Sequence, residues 1–187
     1  MAYTGQTIVN PVSGERITFR RTSADTDGEY LEIEVELTPD GAVPGMHVHP
    51  HQQERFEVLS GNVRFRKGLK KLDAKAGDVL VVEPGKAHKF KNTGEENAAI
   101  RVRVTPALDM ERLLETAVGL AQDGRVTRNG MPGPLDLALF VSEFKNEVRG
   151  PGSPGWIQRA SLAPLGWLAR RRGRAERYAA ARPAVAY

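Results

Sequence analysis

Short stretches of alternating apolar and polar residues, separated by glycine and proline turns at roughly ten-residue spacing, fill the chain from residue 6 to about residue 105. The clearest stretch is residues 28–37, whose apolar members are Leu31, Ile33, Val35 and Leu37. Successive side chains of a strand point to opposite faces, so these four residues should share one buried face. Many short strands joined by such turns predict a mainly β sandwich or barrel.

Three further segments of this region fit the same pattern. Residues 55–59 and 63–66 flank the break at Ser60-Gly61-Asn62, which predicts a hairpin. Residues 78–82 form a continuous apolar strand that ends at the turn Pro84-Gly85. In residues 99–104, Ile100, Val102 and Val104 should face inward and the two arginines outward.

The period changes after Pro106. Asp109 can cap a helix that ends at Gly124, with an apolar stripe of Met110, Leu113, Leu114, Ala117, Val118 and Ala121. A second helix carries the stripe Leu137, Val141, Phe144 and Val148. Residues 156–167 predict packed short helices broken at Pro164. We therefore expect a β-barrel over residues 1–105, a helical extension over 106–172 and a flexible basic tail over 173–187.

The positive charge of the chain is concentrated at its end. Residues 170–187 contain six arginines and one glutamate, a net charge of +5, which leaves −1 for residues 1–169 of a chain of net charge +4. A nucleic-acid-binding protein would spread basic residues over its folded domain, so no nucleic-acid partner is expected. A solvated tail is the simpler interpretation, and contact with a membrane surface or a partner protein is the alternative.

Composition also limits location and metal chemistry. No apolar run is long enough to span a bilayer, and the first residues lack the pattern of a signal peptide, so a cytoplasmic location is expected. The chain has no cysteine. Any metal must therefore be bound by nitrogen and oxygen atoms.

Three of the four histidines lie within five residues. His47 and His49 are two residues apart, so on a strand they project from one face, with Met46 and Val48 on the other. Glu54 follows the interruption at Pro50, close enough to return a carboxylate to the same place from the next strand. Two imidazoles and a carboxylate at one point predict a first-row transition-metal site.

With these residues in place, the chain resembles the cupin superfamily, in particular its small single-domain bacterial members. The first cupin motif is matched at every spacing by Gly41, His47, His49, Glu54 and Gly61. The second is matched by Gly77, Gly85, His88 and Asn92, with Glu83 in place of a proline. The resemblance covers about residues 30–105.

This resemblance implies a double-stranded β-helix, also called a jelly roll, with C-terminal α-helices added. It implies that His47, His49, Glu54 and His88 hold a divalent transition metal, with Fe, Mn, Zn and Ni as candidates. It implies a small-molecule substrate that chelates the metal, and a homodimer. Glu54 is also the candidate catalytic residue, as a ligand that exchanges for a base role.

Three functions remain open at this stage. One is a dioxygenase-like oxidoreductase similar to the quercetin-dioxygenase-like cupins. The second is an isomerase or cyclase that uses the metal without oxygen, and the third is a binding module without catalysis. Among the neighbouring residues, we expect His51 to be a loop residue, Glu83 to be exposed and Asn92 to order a turn. Four side chains should line the barrel interior: Phe56, Val58, Phe65 and Phe90.

Overall fold

The computed structural model describes residues 2–176 and residue 178. Nine strands precede three α-helices in this part of the chain. The strands are β1 (Thr7–Asn10), β2 (Glu15–Arg21), β3 (Leu31–Leu37), β4 (Gln53–Ser60), β5 (Asn62–Lys67), β6 (Lys70–Lys75), β7 (Val79–Val82), β8 (His88–Asn92) and β9 (Ala98–Thr105). The helices are α1 (Met110–Gln122), α2 (Pro134–Glu143) and α3 (Gly155–Arg171).

The strands form two antiparallel sheets. The larger has the order β1-β2-β3-β9-β4-β7, and the smaller has the order β6-β5-β8. Neighbours in space are distant in sequence, as in β3-β9-β4, which is the arrangement of a jelly roll. The predicted class, a mainly β double-stranded β-helix with C-terminal helices, is confirmed.

The core follows the alternation that the sequence shows. The apolar residues of β3 are buried, and they lie opposite the apolar residues of β9, with Ile33 beside Val102 and Val35 beside Ile100. The predicted barrel residues Phe56, Val58, Phe65 and Phe90 are also buried. Apolar side chains from both sheets therefore share one core.

The predicted hairpin across Gly61 is wrong. Strand β4 pairs with β7 and β9 in the larger sheet, whereas β5 pairs with β6 and β8 in the smaller one. Gly61 has φ of 78°, and a Cβ there would lie 2.8 Å from the Cα of Ala98. The chain thus turns from one sheet into the other, in a conformation and a space that glycine alone accommodates.

The apolar segment 78–82 does form a strand, β7, but at an edge of the larger sheet. Val79 is 50% exposed and Val81 is 36% exposed, whereas Val82 is buried. Val79 and Val81 share one face of the strand, and an antiparallel sheet commonly has one face in contact with solvent.

Helix α1 begins and ends where the sequence predicts, but its first turn differs. The carboxylate of Asp109 makes no capping hydrogen bond and instead accepts two hydrogen bonds from Arg112. The apolar stripe predicted for the second helix extends beyond the helix itself. Helix α2 ends at Glu143, and Val148 lies in the following loop.

The prediction for residues 156–167 is wrong in two respects. They belong to one continuous helix, α3, which passes through Pro164. Pro164 has no N–H to donate to the carbonyl of Ala160, and Ala160 is exposed, so water can take the place of that donor. The tryptophans are not packed either, since Trp156 is 66% exposed and Trp167 is 56% exposed.

The three-part division of the chain stays a prediction. Strands lie before residue 106 and helices after it, but the two parts contact each other, as in the hydrogen bond from Gln122 to the carbonyl of Val9. Most of the predicted flexible tail, 177 and 179–187, lies outside the described residues. No helix in the described part of the chain is both long and apolar enough to cross a bilayer.

Candidate metal centre and its cavity

His47 and His49 lie in an irregular extended segment between β3 and β4, and not on a regular strand. Backbone pairing still fixes their positions. His47 and His88 exchange two backbone hydrogen bonds of 2.9 and 3.1 Å, and the N–H of Gly85 donates to the carbonyl of His49 at 2.8 Å. Because directly opposed residues of an antiparallel pair bring their side chains together, this pairing places the isolated His88 beside His47.

The structure brings the four predicted ligand residues together. His47, His49, Glu54 and His88 each offer one nitrogen or oxygen atom, and these atoms lie within 4.8 Å of one another. Glu54 comes from β4, and His88 is the first residue of β8. His49, Glu54 and His88 are buried, and His47 is half-buried. The four residues therefore form a compact cluster that could hold a metal ion.

The other ring nitrogen of each histidine faces a backbone carbonyl. Nδ1 of His49 lies 2.5 Å from the oxygen of Glu147, Nδ1 of His88 lies 3.1 Å from that of Lys86, and Nδ1 of His47 lies 3.4 Å from that of Gly45. A carbonyl oxygen can only accept, so Nδ1 is the donor in each ring. This arrangement leaves Nε2 with a free lone pair, which is how metal-binding histidines are usually oriented.

Two buried atoms at the centre of the cluster show that a cation fits there. Nε2 of His88 and Oε2 of Glu54 are 2.6 Å apart, yet neither has a hydrogen-bond partner. With Nδ1 carrying the ring proton of His88, both atoms present lone pairs to each other, and such a contact is unfavourable in a buried place. A proton or a metal ion between the two atoms removes that repulsion.

The surroundings of the cluster shift the pKa values of three of its members. Burial alone would raise the pKa of Glu54, but the neighbouring imidazoles, His49 first among them, lower it to about 2. Burial, reinforced by His49 and His88, lowers the pKa of His47 to about 3. Burial opposes charge on His88 too, but the Glu54 carboxylate outweighs it and raises the pKa of His88. An ionised carboxylate and a neutral His47 imidazole are thus the favoured forms near neutral pH.

A cavity of about 580 Å³ adjoins the cluster. His47, His49 and Glu54 form part of its wall. Most of the remaining wall is apolar and comes from both parts of the chain: from the barrel Ile17, Ile33, Val35, Val102 and Val104, and from the helices Met110, Leu113, Leu114, Leu137, Phe140 and Leu162. The volume is that of a pocket for a small organic ligand.

The helical part of the chain also reaches the cluster itself. The carbonyl that accepts from His49 belongs to Glu147, in the loop after α2, and the next residues continue the contact, because Val48 and Arg149 exchange two backbone hydrogen bonds of 2.9 Å. Met46, predicted to point away from the site, lines the cavity, since strict alternation fails in this irregular segment. Sequence reasoning missed Glu147 because its contact with His49 spans 98 residues.

A second polar group in the cavity wall was also missed. Glu15 and Asn10 are buried and line the cavity. Burial raises the pKa of Glu15 to about 7, although a hydrogen bond from the hydroxyl of Ser13 opposes this. A signal was present in the sequence, since Glu15, Ile17 and Phe19 occupy alternate positions of β2 and all face inward.

Three neighbouring residues lie where the sequence analysis expects them. His51 is exposed and lies outside the cluster. Glu83 is exposed and accepts a hydrogen bond from Gln53. Asn92 is fully buried, and its amide donates to the carbonyls of Leu37, Thr38 and Glu96. Asn92 therefore orders the turn between β8 and β9.

Comparison with known proteins gives one family match, to the model described as the Cupin domain, over residues 33–104. A curated relative, the oxalate-binding protein of Thermotoga maritima, is 36% identical over 56 residues. Those residues are 30% of this chain and 46% of the relative, so the match spans less than half of the relative's length.

Solved structures resemble the barrel at low sequence identity. A predicted oxalate decarboxylase from Thermotoga maritima has a TM-score of 0.49 at 24% identity, over 55% of this chain and 92% of that one. The polyketide cyclase RemF from Streptomyces resistomycificus has a TM-score of 0.47 at 15% identity, over 56% of this chain and 78% of that one.

A jelly roll with three histidines and one glutamate gathered against its cavity defines a small β-barrel protein with a candidate metal centre. The family match lies on that barrel and includes all four clustered residues. The barrel of this chain thus matches the model of the Cupin domain, and α1, α2 and α3 follow the matched segment.

Proposed function

We propose that this protein is a metal-dependent enzyme that acts on a small organic molecule. The proposal rests on one observation, the convergence of four ligand atoms within 4.8 Å, three of them from residues that line a largely apolar cavity. The ligands are the side chains of His47, His49, Glu54 and His88. Three imidazoles and one carboxylate leave one or two coordination positions for a substrate that chelates through oxygen.

The donor set of nitrogen and oxygen suits Fe, Mn, Zn or Ni. When bound, such a metal supplies a Lewis acid or a redox centre beside the substrate. The chain supplies the rest. Nδ1 of each histidine is held by a carbonyl, so the imidazoles need no reorientation, and the apolar wall excludes water from the substrate.

Glu54 has two candidate roles, ligand and catalytic base. Its low pKa favours the ligand role, because a carboxylate with a pKa of about 2 accepts a proton weakly near neutral pH. A base role requires that substrate binding displace Glu54 from the imidazoles that lower its pKa. Replacement by glutamine tests this, since Glu54→Gln retains the size of the side chain and loses the base.

Metal analysis of the untagged protein tests the ligand assignment. We expect about one transition-metal ion per chain in the wild-type protein and at least tenfold less in His88→Ala and Glu54→Ala, because each loses a ligand. His51→Ala is the matched control, because it removes an exposed histidine of the same segment, and it should retain the metal. A wild-type protein with no more metal than His88→Ala would refute the proposal.

Two reaction classes fit this site. A dioxygenase-like oxidoreductase should take up oxygen with phenolic or diketone substrates. An isomerase or cyclase should convert its substrate with no oxygen uptake, by moving a proton next to a polarised carbonyl. Oxygen-electrode measurements on the metal-loaded protein separate the two.

A second candidate function is binding without catalysis. It is favoured by the name of the curated relative, an oxalate-binding protein, whose matching segment is 36% identical. Calorimetric titration with oxalate, on protein of known metal content, tests this function. The wild-type protein should bind oxalate, and His88→Ala should abolish the binding. The resemblance to cupins also favours a homodimer, and sedimentation equilibrium would measure the oligomeric state.

A further inference from the structure

Helix α3 exposes the two largest apolar side chains of the protein. Trp156 is 66% exposed, Trp167 is 56% exposed and Ile157 is 41% exposed. Folded proteins seldom leave contiguous large apolar groups in water unless the surface contacts something else. Both tryptophans of the whole sequence lie in this one helix.

The exposed residues form a single stripe. Trp156, Ala160, Ala163 and Trp167 are spaced by four, three and four residues, so they lie on one side of the helix, and all four are exposed. The two indoles are about 16 Å apart along the axis, at 1.5 Å per residue. Leu162 and Gln158 lie on the opposite side and line the cavity. We call the four-residue stripe the outer face of α3.

Positive charge surrounds this face. Arg159, Arg170 and Arg171 lie in α3, which contains no acidic residue, and Arg172 follows it. Among the described residues, no carboxylate forms an ion pair with any of these four arginines. The guanidinium of Arg171 lies over the ring of Trp167, 4.1 Å from its centroid. The outer face thus combines exposed indoles with uncompensated cations.

From this combination we infer that the outer face of α3 docks on the surface of an anionic lipid bilayer. Indole rings are favoured at the level of the lipid headgroups, and arginines gain from anionic lipids. A second copy of the chain is a poorer occupant, because two such faces would bring arginines together with no acidic residue of α3 between them. A helix with this pattern lies in the plane of the interface and does not cross it.

The chain provides its own reporter for the test. Because no other tryptophan is present, the tryptophan fluorescence comes entirely from α3. Vesicles with about one third phosphatidylglycerol should shift the emission of the full-length, untagged protein to shorter wavelength and sediment it, whereas pure phosphatidylcholine vesicles should do neither. High salt should weaken the binding, because ions screen attraction between surface charges.

Two pairs of variants separate the charge from the indoles. Arg170→Gln with Arg171→Gln should weaken binding to the anionic vesicles about twenty-five-fold, from roughly fivefold per arginine. Arg16→Gln with Arg21→Gln, which removes equal charge from exposed positions of β2, is the control and should change it little. Trp156→Ala with Trp167→Ala should weaken sedimentation at least tenfold, and Leu69→Ala with Val79→Ala controls for loss of exposed apolar area.

Three results would overturn the inference. One is an absence of binding to anionic vesicles at low salt. Another is equal binding to both kinds of vesicle. The third is an emission shift that depends on protein concentration without lipid and accompanies a doubled sedimentation mass, which would make a second copy of the chain the occupant.

Discussion

Glu15 and Glu54 are two buried carboxylates with opposite surroundings. The imidazoles around Glu54 lower its pKa to about 2, whereas burial dominates at Glu15 and raises its pKa to about 7. The sequence predicts Glu54, because its spacing from His49 is a motif. Glu15 was only partly predictable from the sequence. The alternation in β2 places it on the buried face, but a glutamate is normally expected on the surface.

The raised pKa of Glu15 predicts a stability that depends on pH. The folded chain retains this proton above pH 4.5, where the unfolded chain loses it, so stability is fully present below pH 4.5 and falls until pH 7. We expect a loss of about 3 kcal/mol over that window. Glu15→Gln should remove this part of the pH dependence, as measured by urea unfolding at pH 5 and pH 7.5.

Glu29→Gln, which removes an exposed carboxylate, is the matched control. The difference between wild type and Glu15→Gln isolates Glu15 from the titrating cluster. If the two proteins lose stability in parallel over this window, Glu15 does not carry a raised pKa.

Among the elements, local pattern predicted the strands that alternate clearly but not their partners, and it did not identify β6, whose residues are mostly exposed. The alternation in β3 and β9 identifies both strands and their buried faces, since it depends only on neighbouring residues. The division between β4 and β5 depends on which sheet accepts each strand, which is a tertiary property. The burial of the α3 tryptophans was also predicted wrongly. The prediction assumed that large apolar side chains pack within the fold, but whether they do so is again a tertiary property.

A substitution at Gly61 tests how tightly the chain is constrained where it passes from one sheet to the other. Gly61→Ala should lower the free energy of unfolding by about 3 kcal/mol, since alanine adds strain at positive φ and a contact of 2.8 Å with Ala98. Gly77→Ala has the same strain, at φ of 91°, with nothing within 4 Å of its Cβ, and should lose only about 1 kcal/mol. Equal losses in urea unfolding would show that the contact with Ala98 is relieved by a shift of the backbone.

In the whole molecule, one buried carboxylate connects the ends of all three helices. Asp136, in the first turn of α2, accepts from Arg125 beyond α1 and from Arg174 beyond α3, and its carbonyl accepts from the hydroxyl of Tyr178. Its side chain is 1% exposed. Because the chain segments joined by Asp136 also form part of the cavity wall, the packing of the helices and the shape of the pocket are coupled.

Asp136→Asn should therefore destabilise the helical part strongly. We expect a loss of about 3 kcal/mol in the free energy of unfolding, because two partly exposed arginines lose a charged partner that is itself buried. Asp73→Asn, which removes the exposed partner of Arg64, should cost less than about 1 kcal/mol. Hydrogen exchange should locate the effect of Asp136→Asn in α2 and α3, and similar losses in the two variants would contradict the assigned role.

The hydrogen bond from His49 to the carbonyl of Glu147 has a thermodynamic consequence. If the folded loop after α2 improves the affinity of the cluster for a metal, a bound metal must stabilise that loop by the same free energy, because linkage is reciprocal. Metal supply would then set the lifetime of the C-terminal helices in the cell. Chain made under metal starvation should be cut by proteases first in the region after the barrel, long before the barrel itself unfolds.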